Sequence, residues 1–396
     1  EDTMENFNYY IPTKILFGKG KIKSLGKEAS KYGKNILMVY GKGSIFKENC
    51  YGTSLYQQAK ESLEEAGLTI FELPNIDPNP RIESVYEGAK LCRDCKIDLV
   101  LAVGGGSTID CAKAIAGQAK YEGDIWKCYE SKDPRPLQEV LPVASVLTVS
   151  ATGSEMNGNS VISNLSCHKK IGLSTSKFRP VFSILDPSYT FTVNRKQTAS
   201  GCVDIMSHIF EQYFTPDHGG YLQNRMMEGV LKTVIHYAPI ALEHPDNYEA
   251  RANLMWASTW ALNDMFEKGK IPTDWATHQM EHELSAFYDI THGVGLGILT
   301  PYWMKYVLTE ENRHRFVDYG REVWKLSGSE EEIAEISIQK TREFFTSLGI
   351  PARLQEVGIG EENLESMAKQ ATQHGPLGAM KELYAEDVLA IFKMAL

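Results

Sequence analysis

Four residues in two clusters carry side chains that can bind a divalent metal. Asp204 and His208 form the first cluster, and His278 and His292 form the second, about seventy positions later. One carboxylate oxygen and three imidazole nitrogens make a donor set that Zn²⁺ and Fe²⁺ both accept. The sequence therefore predicts a single metal site built from these four side chains.

The first cluster lies in a predicted helix. Residues 201–213 contain no proline and place apolar side chains at helical intervals, so Asp204 and His208 project from one face, one turn apart. One ion can then bridge the two side chains. An Asp–His pair at this spacing is more typical of a surface or capping pair, so the spacing alone leaves a structural role open.

The second cluster is predicted to span a helix and the start of the element after it. Thr273 or Asp274 is the expected N-cap of the helix, on which His278 and His282 share one face. His292 begins the next element, where the chain can fold back. Three histidines thus converge, and at least one of them can be left over from the metal site.

A separate signal lies in the N-terminal half. Residues 97–103 are typical of a buried strand, residues 104–107 of a tight turn and residues 108–116 of a helix. Glycine lets backbone N–H groups approach an anion, and a helix N-terminus adds partial positive charge, so this turn can hold a pyrophosphate. It is not the G-x-G-x-x-G fingerprint of the usual dinucleotide fold, and a purely structural turn is the alternative.

Taken together, these residues resemble the iron-containing alcohol dehydrogenases (group III). The resemblance extends from about Tyr10 to the C-terminus and is greatest to the NAD(P)H-dependent butanol dehydrogenase and aldehyde reductase branch. The metal quartet and two N-terminal motifs carry it. The motifs are Gly104, Gly105, Gly106 and Ser107 followed by Asp110 and Lys113, and residues 150–155 followed by Asn157.

The resemblance implies a fold and a reaction. The expected fold is an α/β N-terminal domain with a parallel Rossmann-like sheet, followed by an all-α C-terminal domain, as in dehydroquinate synthase-like proteins. The expected reaction is metal-dependent hydride transfer between NAD(P)H and a small aldehyde or primary alcohol such as butanal or butanol. The implied assembly is a homodimer, and the implied metal is Fe²⁺ or Zn²⁺.

The resemblance also implies contacts with the cofactor. Ser107 is expected on the pyrophosphate, beside the three glycines of the turn, and Lys170 near the adenosine end. Asn157 is expected near the nicotinamide, and Thr148 and Thr152 are expected elsewhere along the cofactor.

Two further residues match family positions at the reacting centre. Asp110 corresponds to a position that faces the nicotinamide and substrate, although an acidic residue in a first helical turn also complements the helix dipole. His282 corresponds to a position lining the active site, where it would relay a proton. The alternative is that His282 only forms a hydrogen bond with Asp289 or water.

The cofactor preference is read from the end of the strand formed by residues 36–40. An acidic residue there would bind the adenosine ribose and repel a 2′-phosphate. This chain has Gly41, Lys42, Gly43 and Ser44 instead. Family members with a glycine-serine turn use NADPH, so NADP(H) is expected in preference to NAD(H). A permissive turn that also accepts NADH is the alternative.

Composition and patterning indicate two domains. With 396 residues and 43% hydrophobic content, the chain can bury a large core. Short β-rich runs alternate with helical stretches in residues 1–189, and long amphipathic helical segments dominate residues 190–396. We expect a dinucleotide-binding α/β domain and a helical metal-binding and catalytic domain, with the ligand in the cleft between them.

Charge and cysteine usage exclude other classes of protein. A net charge of −10 argues against a nucleic-acid groove, and the apolar runs are too short to cross a bilayer. Seven scattered cysteines favour reduced thiols in a cytoplasmic protein. We also expect Met4 to be the natural first residue, after the extra residues Glu1, Asp2 and Thr3.

Three alternatives to this dehydrogenase remain open. A polyol enzyme, such as a glycerol or 1,2-propanediol dehydrogenase, would use the same residues, but apolar side chains near the predicted site favour an unbranched apolar substrate. A non-redox metal hydrolase would use the quartet to activate water. A non-catalytic nucleotide-binding protein would keep the histidines as core residues. The apolar side chains are those of Trp275, Phe287, Tyr288 and Ile290.

Overall fold

The computed structural model describes residues 4–216, 219–270 and 272–396. The expectation about Glu1, Asp2 and Thr3 therefore lies outside the described residues. The strands are β1 Lys14–Phe17, β2 Asn35–Tyr40, β3 Thr69–Leu73, β4 Leu99–Gly104, β5 Val143–Leu147, β6 Asn159–Asn164, β7 Lys169–Ser174 and β8 Phe182–Leu185. The helices are α1 Leu25–Ala29, α2 Leu55–Glu65, α3 Ile82–Asp94, α4 Gly106–Lys120, α5 Ile125–Ser131, α6 Arg195–Tyr213, α7 Tyr221–Glu243, α8 Tyr248–Ala261, α9 Ala276–Tyr288, α10 His292–Val307, α11 Arg313–Trp324, α12 Glu330–Ser347, α13 Leu364–Ala371 and α14 Ala385–Ala395.

A parallel sheet organises the N-terminal half, as predicted. Within the described residues its strands follow the order β1-β8-β5-β4-β2-β3, and every neighbouring pair is parallel. The β-rich runs in the sequence at residues 36–40, 69–73, 97–103 and 143–146 predict β2, β3, β4 and β5. The sequence did not predict β1 or β8, because each has only four residues and too few side chains to show a period.

Apolar side chains on both faces explain why the central strands are continuous apolar runs. Leu37 and Val39 of β2 belong to the core on one face of the sheet, whereas Ile36 and Met38 belong to the core on the other. All four are fully buried. A parallel sheet covered by helices on both faces requires this pattern, because neither face of its strands meets water.

An antiparallel hairpin of β6 and β7 accompanies the parallel sheet, and the sequence did not predict it. Asn164 caps the short turn between the strands, and its side chain accepts a hydrogen bond from the backbone N–H of Ser166. β6 packs against α4, the helix that follows the glycine turn of residues 104–107. The hairpin therefore lies beside the helix that this turn begins.

The described residues form two compact units. The sheet unit contains residues 10–194 and 244–259. The helical unit contains residues 4–9, 195–216, 219–243, 260–270 and 272–396. A single cut after residue 189 would not produce these units, because residues 244–259 belong with the sheet. Met255 lies in a sheet core, and Thr259 donates a hydrogen bond to Glu155 over 2.6 Å.

The second unit is helical, as predicted. Its long helices include α6, α7, α9, α10 and α12. Among the described residues, we find no helix with both the length and the apolar character needed to span a membrane.

Candidate active site

Three helices bring the predicted metal quartet together. Asp204 and His208 lie on α6, His278 lies on the first turn of α9, and His292 is the first residue of α10. The Nε2 atoms of His208 and His292 each lie 3.5 Å from Asp204 Oδ1, and His278 Nε2 lies 3.7 Å from it. Residues separated by almost ninety positions thus point their donor atoms at one point in the helical unit.

These side chains fit a metal ion. Ligands at the usual 2.0–2.2 Å from a tetrahedral ion lie about 3.3–3.6 Å apart, close to the 3.5–3.7 Å between Asp204 Oδ1 and each Nε2. The donor atoms of Asp204, His208 and His278 also lie within 4.8 Å of one another, whereas His292 is grouped with Glu281 and His282. Among the described residues, neither Asp204 Oδ1 nor His278 Nε2 has a hydrogen-bond partner, although both atoms are buried. Buried polar atoms without partners are costly, so a bound cation would satisfy them.

The charges around the site also favour a cation. Burial raises the pKa of Asp204, but the neighbouring imidazoles outweigh burial and hold it well below its usual range. Burial lowers the pKa of His208 to about 3, so this imidazole is neutral and able to donate its lone pair. Burial also lowers the pKa of His278, but the neighbouring carboxylates of Asp204 and Glu211 outweigh burial and raise the value to about 9.

Two buried carboxylates that the sequence analysis missed hold two of the imidazoles. Glu211 Oε1 lies 2.8 Å from Nδ1 of His278 and also accepts its backbone N–H. Glu281 Oε2 is paired with Nδ1 of His292. Each pair orients the ring and directs its Nε2 towards the site. A signal was available, because Glu211 and Glu281 each lie three residues after a histidine of the quartet, on the same helix.

The helix that carries His278 starts later than predicted. Trp275 precedes its first residue, Ala276, with a left-handed φ of 65°. Asp274 is buried, and its carboxylate accepts hydrogen bonds from the N–H groups of Ala276, Ala379 and Met380 over 2.7–3.0 Å. Burial, aided by the charge of Glu211, raises the pKa of Asp274 to about 7.

His282 lies beside the quartet. It is buried, and its ring centre is 5.9 Å from that of His292. One donor atom from each of Glu281, His282 and His292 lies within 4.8 Å of the others. The structure thus places His282 next to the candidate metal site, one helical turn after His278.

The glycine turn ends the central strand β4 and starts α4, as predicted, but the helix begins two residues earlier than expected, at Gly106. Gly106 and Ser107 therefore lie in its first turn, and Asp110 is its fifth residue. A Cβ atom on Gly106 would lie 2.2 Å from the hydroxyl oxygen of Thr152, so only glycine fits this close approach. The turn and the loop after β5 are packed against each other.

A buried polar network ties that loop to α4. Lys113 is fully buried, and its Nζ donates to the side chain of Ser154, to Asn157 Oδ1 and to the backbone oxygen of Asn159 over 2.7–3.1 Å. The hydroxyl of Ser154 in turn donates to Asp110 Oδ1 over 2.6 Å. The network therefore fixes the loop between β5 and β6 on the helix that follows the glycine turn.

Three predicted site residues, one catalytic and two at the cofactor, contribute to this local structure. Asp110 Oδ2 accepts the backbone N–H of Val161, and burial raises the pKa of Asp110 against the opposing effect of Lys113. Asn157 is buried, and its amide donates to Gly153 O over 2.9 Å. Thr148 follows β5, and its N–H donates to Gly104 O. Their hydrogen bonds hold the loop in place.

The residues predicted at the adenosine end lie on two elements, the turn after β2 and the strand β7. Gly41, Gly43 and Ser44 follow β2, and Gly43 has a φ of 151° that favours glycine. Lys170, on the hairpin strand β7, donates to Asn79 Oδ1 over 2.9 Å. The turn after β2 also carries an acidic neighbour that the sequence analysis did not consider, because Lys42 Nζ lies 2.5 Å from Asp77 Oδ1.

One unit contains a parallel sheet with a glycine turn, and the other groups one carboxylate and three imidazoles among helices. Family comparison identifies the class of protein. Residues 12–187 match the iron-containing alcohol dehydrogenase family, and residues 198–396 match the C-terminal domain of the Fe-containing alcohol dehydrogenase family. The chain belongs to the iron-containing alcohol dehydrogenases, which confirms the resemblance seen in the sequence.

Individual relatives agree over almost the whole length. NADH-dependent butanol dehydrogenase A of Clostridium acetobutylicum is 52% identical over 98% of this chain and 99% of its own. NADPH-dependent aldehyde reductase YqhD of Escherichia coli is 38% identical over 94% of each chain. The crystal structure of NADH-dependent butanol dehydrogenase A from Thermotoga maritima has a TM-score of 0.94 at 39% identity, covering 100% of both chains. The chain is therefore an oxidoreductase of alcohols and aldehydes that uses a nicotinamide cofactor.

The Glu211–His278 pair generates a first prediction. Glu211→Gln removes the charge that orients His278, so we expect divalent metal to bind about 10–100-fold more weakly, the usual effect of losing such a partner. Competition with a chromophoric chelator measures this affinity. Glu335→Gln, at an exposed site on α12, is the control and should bind metal as the unmodified protein does. Equal affinity in both variants would show that Glu211 does not support the metal site.

Proposed function

We propose that this protein reduces a small straight-chain aldehyde such as butanal to its primary alcohol, and oxidises the alcohol in reverse, with Asp204, His208, His278 and His292 as metal ligands. The observation that carries the proposal is the approach of three Nε2 atoms to within 3.5–3.7 Å of Asp204 Oδ1. The similarity to butanol dehydrogenases supports the substrate class.

The chemistry requires polarisation of the carbonyl oxygen and a hydride donor. A bound divalent metal supplies the first and a reduced nicotinamide the second. In the reduction, the carbonyl carbon gains the hydride, the oxygen gains a proton, and the cofactor is oxidised. The chain binds and orients both reactants and delivers the proton.

We assign the proton transfer to His282. It is buried beside His292, yet it is not one of the side chains grouped around Asp204 Oδ1. An imidazole suits proton exchange near neutral pH. For Asp110 we propose a position facing the nicotinamide and substrate, with its carboxylate held by Ser154 and Val161.

For the cofactor we propose the predicted set of residues. The N-terminus of α4 suits the pyrophosphate, because the first N–H groups of a helix lack partners within the helix and carry partial positive charge. The set is Gly41, Gly43, Ser44, Gly104, Gly105, Gly106, Ser107, Thr148, Thr152, Asn157 and Lys170.

We propose that the preference for NADP(H) over NAD(H) is weaker than the sequence predicted, or absent. The absence of an acidic residue at the strand end favoured NADP(H), but Asp77 lies against Lys42 and would neutralise the cation available to a 2′-phosphate. The similarity to NADH-dependent enzymes points the same way. We therefore propose that NADH is used at least as well as NADPH, and that Asp77 is one reason.

We propose Fe²⁺ as the metal on the strength of the family, with Zn²⁺ compatible with the same donors. Seven cysteines, none of which forms a disulfide within the described residues, support a cytoplasmic location. A homodimer is proposed from the resemblance.

The function is tested by substitution of a metal ligand. Asp204→Ala should lose the metal and almost all butanal-dependent oxidation of NADH or NADPH, followed at 340 nm. The variant should still bind the cofactor, because the sheet unit contains the glycine turn and has its own cores. Elemental analysis gives the metal content, and cofactor fluorescence gives binding. Full activity in the variant would overturn the assignment, and hydrolysis without cofactor turnover in the unmodified protein would favour a hydrolase.

Cofactor preference is tested by opposite changes of charge. Asp77→Asn should lower KM for NADPH with little change for NADH, because it removes a negative charge near the predicted 2′-phosphate. Gly41→Asp should have the reverse effect, weakening NADPH by about 1–3 kcal/mol. Steady-state kinetics with both cofactors measures the ratio. If neither variant changes the ratio, the adenosine end binds elsewhere.

The role of His282 is tested by its removal. His282→Ala should retain stoichiometric metal, lower kcat by about 10²–10⁴ and flatten the pH profile near neutrality, because a positioned acid or base is lost. Glutamine at the same position is the control for packing. Loss of metal would make His282 a ligand, and a normal kcat would make it a packing residue.

A further inference from the structure

Trp275 packs against the imidazoles of the candidate metal site. The centre of its indole lies 5.1 Å from the ring of His278, which it meets nearly edge-on, and 6.2 Å from the ring of His208. The indole N–H donates to the hydroxyl of Thr273 over 2.8 Å. This hydrogen bond engages the polar atom of the indole and leaves the rest of the ring system apolar.

The backbone holds Trp275 in an unfavourable conformation. Its φ of 65° and ψ of 8° lie in the left-handed region, which a residue with a large side chain rarely adopts. Such a conformation persists only where the surroundings enforce it, and it occurs often at ligand sites. The strained backbone therefore indicates that the surrounding structure holds the indole in this position.

Asp274 enforces this conformation from both sides. Its backbone N–H donates to Glu211 O over 2.9 Å, and its Oδ1 accepts the N–H of Ala276, so the residues before and after Trp275 are both anchored. Glu211 also contacts His278. The indole and the metal ligand therefore share one support.

The same carboxylate fixes a turn near the C-terminus. Asp274 Oδ2 accepts the consecutive N–H groups of Ala379 and Met380, within a turn closed by the pairing of Leu377 with Leu383. A Cβ atom on Gly378 would approach the carboxylate to 3.2 Å. A segment about one hundred residues away in sequence is thus seated on the start of α9.

We propose that Trp275 is a specificity-determining residue, whose indole is the apolar wall on which the alkyl chain of the substrate packs, and that Asp274 is the positioning residue for this wall. This inference rests on the proposed function. The indole is only partly buried, and its ring lies beside those of His208 and His278. An apolar ring there stabilises methylene groups and offers nothing to a second hydroxyl, which selects simple alcohols over polyols.

Straight-chain aldehydes from ethanal to hexanal provide the test. Packing of each added methylene on an apolar wall should raise kcat/KM by up to about 4-fold in the unmodified protein. Trp275→Phe, which keeps an apolar ring, should retain most of this increment. Trp275→Gln, which has a polar side chain, should reduce the increment per methylene towards 1, so that the loss grows with chain length. Metal content is measured for each variant.

Two further variants test whether the effect is specific to this indole and whether Asp274 positions it. Trp256→Ala removes a partly exposed indole that packs against Phe17 in the sheet unit, and it should leave the increment unchanged. Asp274→Asn should reduce the increment while the metal is retained, an effect that a general loss of stability would not produce. Partial thermal unfolding is excluded by circular dichroism at the assay temperature.

The outcomes separate the two proposals. If the unmodified protein turns over aldehydes and Trp275→Gln keeps the same increment per methylene, the wall is elsewhere and this inference is overturned. If the unmodified protein with bound metal turns over no aldehyde with either cofactor, the proposed function fails. An increment that falls in Trp275→Gln and Asp274→Asn but not in Trp256→Ala supports the assignment.

Discussion

The buried carboxylate of Asp204 is the constraint on which the helical unit depends. Three imidazole nitrogens surround its Oδ1 within 3.7 Å, at distances too long for hydrogen bonds and suited to a shared cation. A cluster of this kind is expensive to bury without an ion, because each polar atom has lost water. Helices α6, α9 and α10 meet at this point, so the packing of the unit and the chemistry of the site depend on each other.

Carboxylates around the cluster extend this constraint outwards. Glu211 holds His278, Glu281 holds His292, and Asp274 anchors the start of α9. Their hydrogen bonds restrict the directions in which the imidazoles point, which a metal site requires because its ligand geometry tolerates little error. Asp274 also accepts a hydrogen bond from the turn before α14, so residues near the C-terminus help to hold the start of α9.

In the sheet unit, a buried lysine holds the structure around the glycine turn. A turn proposed to bind a pyrophosphate must keep its backbone N–H groups at fixed positions, and flexible glycines do not hold them by themselves. The fully buried Lys113, with Ser154 and Asp110, binds the loop after β5 to α4 and places Thr152 against Gly106. The positive charge is stable there because several oxygens surround it.

The sequence by itself determined the parallel sheet and the helical second half, and it predicted the four donor residues that the structure brings together. Each leaves a local signal: apolar runs, helical periodicity and donor residues at helical spacing. It did not reveal β1, β8 or the hairpin, whose short strands show little period. Tertiary structure alone decided that Glu211 and Glu281 support the histidines, that Asp77 lies against Lys42, and that residues 244–259 belong with the sheet. These are contacts between residues distant in sequence, or between helices whose relative rotation no local pattern encodes. The strained position of Trp275 belongs to the same group, because a left-handed residue of this size is stabilised only by the partners that the folded chain brings to Asp274.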